Sequence, residues 1–291
     1  MNPVSFGIST GPQGIEWQVL RDIWKVADDI DLFETGWVND HFFGFKDVMS
    51  GPPFIGDPDQ GAADGWMVLA SLLHETKRIR GGVLVTGIHF RHPSVLAHMA
   101  ATLDWSSGGR VEIGLGAGWS PEECEMFGVP LGTVKERLDR FEESVEIIVR
   151  LLSGEKVTFD GEYFQLNEGV FTQLGPQVPH PPICIGGMGE KRTIPLAAKY
   201  AQHWNYEGTD PEVLKQKVDV LRNCCEAIGR DPNEIRISGK VRFSNAESPN
   251  VLTERANKMI EAGANTVLVS FPRPSSPEMV EPVASALSEA L

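Results

Sequence analysis

No apolar run in this sequence approaches the roughly 20 residues needed to cross a bilayer, so no membrane span is expected. Met1 to Leu20 lacks a basic start and a continuous apolar stretch, which argues against a secretory signal. Basic residues are scarce: 26 Lys and Arg face 40 Asp and Glu, a formal charge of −14. A nucleic-acid partner would need a basic face to displace phosphate counterions, and an anionic membrane surface would need the same. Cysteine is also scarce, and Cys124, Cys184, Cys224 and Cys225 form no C-x-x-C pair. Free thiols in a reducing cytoplasm are the simplest expectation. H-E-x-x-H, Walker and G-x-S-x-G motifs are missing, and no His, Asp and Glu spacing suggests a metal site.

What is present is an ordinary globular mixture, 41% hydrophobic and 23% charged, over 291 residues. Short β-branched runs alternate with amphipathic stretches. The expected strands are Val4 to Ser9, Trp37 to Asp40, Gly82 to Thr86 and Val111 to Leu115, then Ile183 to Gly186, Gln202 to Tyr206, Ile235 to Phe243 and Thr266 to Ser270. Helical spacing runs through Ile15 to Thr35, Gly65 to His74, a segment beginning at Pro93, and Val134 to Leu152. It returns in a segment ending at Tyr200 and starting near Thr193, and in Pro211 to Ala227, Val251 to Ala262 and Pro277 to Leu291. Two long polar excursions interrupt the pattern, His41 to Asp64 and Gly154 to Pro182. Eight strands alternating with eight helices imply parallel strands joined by right-handed crossovers. The length fits an α/β chain closed into a single (β/α)8 TIM-barrel domain, residues 1–291, with an insertion at about 154–182. An open doubly wound sheet is the rival, weakened because no G-x-G-x-x-G follows the first strand.

In such a barrel the chemistry belongs at the C-terminal ends of the strands. After the second strand stands Asn39-Asp40-His41-Phe42, where His41 suits proton transfer and Asp40 could orient it or touch a ligand. A capping Asp beside a surface His is the plainer alternative. After the third comes Thr86-Gly87-Ile88-His89-Phe90-Arg91-His92-Pro93, a cluster that favours an anion at a helix start or is simply a solvated loop. After the fourth, Gly114, Gly116 and Gly118 leave a flat wall, with Trp119 as an aromatic neighbour. After the fifth, Gly186-Gly187-Met188-Gly189-Glu190-Lys191-Arg192 offers backbone N–H groups and positive charge to a phosphate, or is a tight turn. Glu122-Glu123 and Glu142-Glu143 are expected to face solvent. Phe42, Phe43, Phe45, Phe54 and Trp66 make either an apolar substrate wall or part of the core.

Four motifs in this register resemble a known family. They are Trp37-Val38-Asn39-Asp40-His41-Phe42; Phe90-Arg91-His92-Pro93 with Ala97, Ala100 and Ala101; Ser107 through Trp119; and Pro182 through Glu190. The chain resembles the luciferase-like flavin oxidoreductases, most closely the branch that uses the deazaflavin coenzyme F420. The resemblance implies a (β/α)8 barrel with a ring cofactor at the strand ends and its tail toward Gly186, Gly187, Met188 and Gly189. It implies that Asp40 and His41 stand at the ring. Leu84, Val85 and Thr86 match a segment that in many members carries a non-proline cis peptide against the ring. Gly116, Ala117, Gly118 and Trp119 complete the implied cofactor set.

One departure stands out. Some F420 dehydrogenases have Glu after the strand-4 glycines, where this chain has Trp119, so neither a sugar-phosphate substrate nor Glu-assisted proton transfer carries over. His41 is then the leading acid or base. The implied activity is hydride transfer between F420 and a small organic molecule. An FMN-dependent monooxygenase using reduced flavin and O2 is the alternative, and a non-redox barrel the third. The resemblance also implies a homodimer, and a flavin or F420 reductase that supplies reduced cofactor.

Overall fold

The computed structural model of the protein describes residues 3–46, 55–244 and 246–290; Phe54 lies outside them. In chain order the elements are β1 (Ser5–Ser9), α1 (Trp17–Asp28), β2 (Phe33–Val38), β3 (Phe43–Lys46), β4 (Ile55–Gly61), α2 (Gly65–Glu75) and β5 (Arg80–Gly87). Next come α3 (Pro93–Ser107), β6 (Val111–Gly116), α4 (Pro121–Phe127), α5 (Val134–Leu152), β7 (Val157–Asp160), β8 (Gln165–Gly169), β9 (Ile183–Gly186) and α6 (Thr193–Tyr200). The chain ends with β10 (His203–Tyr206), α7 (Pro211–Ala227), β11 (Arg236–Arg242), α8 (Pro249–Glu261), β12 (Thr266–Ser270) and α9 (Val280–Ser288). Eight parallel strands close into a barrel in the order β1-β12-β11-β10-β9-β6-β5-β2. This is the expected (β/α)8 architecture, and the open sheet is excluded.

Local chemistry sets the boundaries. Thr133 and Glu136 form a reciprocal capping box at the start of α5. Pro93, Pro121, Pro211 and Pro249 occupy first-turn positions where no N–H is needed. Gly108 and Gly128 end α3 and α4 in the left-handed conformation. The helix expected over Ile15 to Thr35 stops at Asp28. The Asp28 carboxylate accepts backbone N–H groups from Lys77, Arg78 and Ile79 at 2.7, 2.8 and 2.6 Å. Ile30 continued the apolar spacing although it packs on the core from the loop between α1 and β2. The strand expected over Trp37 to Asp40 thus begins earlier and ends at Val38, leaving Asn39 and Asp40 just beyond its C-terminal end.

Both excursions contain antiparallel hairpins, β3–β4 and β7–β8. The second is anchored by Glu143, whose carboxylate accepts N–H groups from Glu162, Tyr163 and Phe164 at 2.7, 3.1 and 3.0 Å. Glu142 pairs with Arg192 at 2.6 Å. The expectation that Glu142 and Glu143 simply face solvent is therefore corrected: both bridge elements. All four cysteines are free, with Cys124, Cys184 and Cys225 buried. Among the described residues, no helix is long and apolar enough to cross a membrane and no His, Cys, Asp and Glu group could hold a metal.

The main core lies between strands and helices, with Phe6, Ile8, Trp24, Phe141 and Trp204 among its buried members. The lumen has its own layers. At the strand starts, Glu112 on β6 binds Arg236 on β11, Arg80 at 3.1 Å, and lies 3.7 Å from His203 on β10. Above them Trp37, Leu84, Cys184 and Leu268 form a compact apolar plug. The strand ends above that plug remain open.

Candidate active site

A cavity of about 600 Å³ opens above the plug, within the size range of small-molecule sites. Its lining includes Asp40, His41, Leu84, Val85, Gly116, Ala117, Gly118, Trp119, Gly186 and Gly187. Ten of the thirteen residues singled out from sequence thus converge on one hollow, although 147 positions separate Asp40 from Gly187. Thr86 does not join them: it is buried and accepts the Trp66 indole N–H at 2.7 Å, on the side facing α2. Met188 and Gly189 lie beyond the lining, with Met188 exposed.

Gly116, Gly118 and Gly186 leave no room for a side chain of their own, because Val85 and His89 pack against them. A Cβ on Gly116 or Gly186 would come within 2.6 or 2.9 Å of Val85, and one on Gly118 within 2.4 Å of the His89 ring. The Leu84–Val85 peptide is cis, and the pairing of β5 with β6 shifts register between Val83 and Thr86. Leu84 and Val85 both line the cavity.

His41 is held from behind. Its Nδ1 lies 2.8 Å from Oε2 of Glu123, whose other oxygen accepts the Phe42 N–H at 2.6 Å. A carboxylate accepts, so this contact is made by an Nδ1–H and leaves Nε2 as the ring nitrogen outside it. Glu123 is only 1% exposed, on α4, whose first turn is capped by the Ser120 side chain. The expectation that Glu123 faces solvent is corrected; its neighbour Glu122 does face outward. The Ser120-Pro121 pair is a helix-start signal that could have revealed α4. Nothing local in the sequence points from Glu123 to His41.

Asp40 is fixed by a two-pronged ion pair with Arg91, at 2.5 and 3.2 Å, and Arg91 also reaches Asp64 at 2.5 Å. Burial alone would lower the Arg91 pKa, but bonding to Asp40 and the charges of both carboxylates raise it. His92 caps α3 by accepting the Ser94 N–H. The Arg91 and His92 cluster is thus committed internally rather than open to an anion. His89, in the cavity wall, has neither ring nitrogen hydrogen-bonded among the described residues, and burial pushes its pKa down to about 4.

Aromatic rings surround His41. Phe45 and Trp119 meet it edge-on at 4.8 and 5.5 Å, and Phe42 stacks on Phe127 at 4.4 Å while meeting Phe90 edge-on. Trp66 is core. Behind Gly186 the expected anion loop is less basic than its sequence suggests. Arg192 is engaged by Asp139 and Glu142, Glu190 ties Lys217 at 2.6 Å, and Glu207 also lines the cavity.

The cavity's glycines beside Leu84 and Val85, the His89 ring and the held imidazole suit a planar ring that accepts hydrogen bonds at its edge. Solved structures share this fold. An F420-dependent secondary alcohol dehydrogenase in complex with an F420-acetone adduct superposes with a TM-score of 0.86 at 18% identity, covering 99% of each chain. A coenzyme F420-dependent tetrahydromethanopterin reductase from Methanopyrus kandleri gives 0.79 at 20%, again with 99% of each chain covered. A long-chain alkane monooxygenase gives 0.78 at 17%, covering 99% of this chain and 92% of the other. Uncharacterized proteins of Mycobacterium tuberculosis and Mycobacterium bovis are 28% identical over 230 residues, 78% of this chain and 72% of theirs. A model of luciferase-like monooxygenases matches residues 5–290, and on that match the chain belongs to the luciferase-like monooxygenase family.

Proposed function

We propose that this protein is a coenzyme F420-dependent oxidoreductase that moves a hydride between the deazaflavin and a small organic substrate. The observation that carries the reading is the His41–Glu123 pair in one cavity with Leu84, Val85 and the strand-end glycines Gly116, Gly118 and Gly186. The two F420-dependent enzymes among the matched structures support it. Leu84, Val85, Gly116, Ala117, Gly118, Gly186 and Gly187 would hold the ring, Asp40 its edge, and Met188 and Gly189 the start of its tail. When bound, the deazaflavin supplies a two-electron hydride donor or acceptor, which is chemistry no side chain offers.

The chain's residues do the rest. A substrate oxygen whose charge changes in such a transfer would need a proton given to it or taken from it. His41 Nε2 is the atom that gives or takes it. Glu123 keeps Nδ1 protonated and the ring in one orientation, a positioning role. Phe45 and Trp119 pack beside the imidazole and keep bulk water from competing for that proton. The same reading implies a homodimer and a reductase that regenerates the cofactor.

Equilibrium titration of purified protein with F420 and with FMN, each oxidised and reduced, tests the reading. F420 should bind at micromolar levels and FMN at least about tenfold more weakly. Tight binding of reduced FMN with oxygen uptake, and none of F420, would replace it with a flavin monooxygenase.

A further inference from the structure

Residues of β11 alternate between two surroundings. Gly239 faces the helices: a Cβ there would lie 3.3 Å from Sδ of Met259 on α8. Arg236 instead meets Glu112 from β6, and the Ser238 hydroxyl meets His203 and Asn205 on β10, which is possible only inside the barrel. Pairing with β12 runs in unbroken register from Ser238 to Arg242. The two-residue period therefore places Lys240 and Arg242 on the lumen side, near the C-terminal end of the strand and so at the same end of the barrel as the cavity, beside its lining residues rather than among them. Both are half-buried, and neither makes a side-chain hydrogen bond or ion pair among the described residues. Beyond β12, Arg273 stands at the same rim. Its guanidinium donates to Gln60 at 2.7 Å and Gln13 at 3.0 Å, both neutral.

Acid outnumbers base 40 to 26 in this chain, so unmatched cations at one rim are unexpected. The arginines at the bottom of the lumen, Arg80 and Arg236, both have Glu112. Among the described residues Arg242 and Arg273 have no carboxylate partner, and burial lowers their pKa values. Removing charge from water without a counterion costs stability, so folding gives no reason to keep these groups. β11 and β12 are the seventh and eighth barrel strands, whose loops commonly build anion sites in this architecture.

We propose that Lys240, Arg242 and Arg273 form an anion-binding subsite at the β11–β12 rim, taking a phosphate or carboxylate group of a molecule bound in the cavity. It rests on the proposed function only in treating the cavity as the reaction site. The anion belongs either to the substrate or to the phosphate-bearing tail of the cofactor.

The test begins with cofactor-free protein, titrated with inorganic phosphate and with succinate at constant ionic strength. The wild type should bind at least one of them saturably. A Lys240→Gln/Arg242→Gln double variant should lose about tenfold or more, while Lys215→Gln, an exposed charge change elsewhere, should not. Without anion the double variant should melt at or above the wild-type temperature, because an uncompensated cation has gone; a purely structural role would lower it. No saturable binding by the wild type, or equal binding by the double variant, overturns the proposal. A second arm compares F420 with the same deazaflavin lacking its phosphate-bearing tail. Weakened binding of F420 alone assigns the anion to the cofactor, and unchanged binding of both forms assigns it to the substrate. If neither deazaflavin binds the wild type, the functional reading fails while the anion result stands separately.

Discussion

His41 and Glu123 are 82 residues apart and meet at 2.8 Å. The Glu123→Gln variant keeps the shape but replaces the charged acceptor. Turnover should fall by roughly 10²-fold, and the pH–rate profile should move, with F420 affinity little changed. His41→Ala should lose roughly 10²–10⁴-fold in turnover, recoverable in part by added imidazole. A purely structural Glu123 would lower stability without moving the pH profile. Thr86 is a control outside the lining. Thr86→Val leaves the buried Trp66 N–H unpaired and should cost about 1–3 kcal/mol in denaturant unfolding, with cofactor affinity unchanged. The strand-end motifs Asp40-His41 and the glycines around Gly116 and Gly186 were legible because barrel geometry tells which loop positions share a rim. Glu123 was not, because adjacent carboxylates read as a solvated pair. Only folding reveals that one of them is buried behind an imidazole.

At the scale of elements, the sequence marked those whose signals are local. Capping chemistry and an uninterrupted apolar stripe set α5, and the expected Val134 to Leu152 coincides with it. α1 was over-extended because Ile30 continues the helical spacing although it lies past the end of the helix at Asp28. β3 and β4 escaped notice because Gly, Pro and Asp dominate their segment, and their pairing, not their composition, makes the hairpin. The β7–β8 hairpin depends on one side chain from another element, Glu143. A Glu143→Ala change should free the N–H groups of Glu162, Tyr163 and Phe164. Limited proteolysis should then cut near Gly161 well before the barrel unfolds; cutting at the wild-type rate would show the anchor to be dispensable.

For the whole molecule, the lower lumen ties distant strands together through buried charge. Burial would raise the Glu112 pKa, but Arg236, His203 and Arg80 hold it well below the carboxylate range. Removing it strands Arg236 in the lumen, so Glu112→Ala should cost about 3–5 kcal/mol. Burial, aided by Arg236, pushes His203 down to about 4, and His89 reaches about 4 chiefly through burial. Between pH 6.5 and 4 the unfolded chain binds protons that the native protein does not, so stability rises with pH across that window. Acidification should therefore lower the melting temperature from about pH 6.5 downward, and further below pH 4.5 as Glu112 begins to matter. A flat melting temperature between pH 7 and 4 would contradict both histidine assignments. The central claim is that the upper lumen holds a planar redox ring within reach of His41. Crystals grown with F420 measure this directly. The account predicts the ring in the cavity lined by Leu84, Val85, Gly116 and Gly186, with an edge atom within hydrogen-bond distance of His41 Nε2; a ring seated outside that hollow, or turned away from His41, would contradict it.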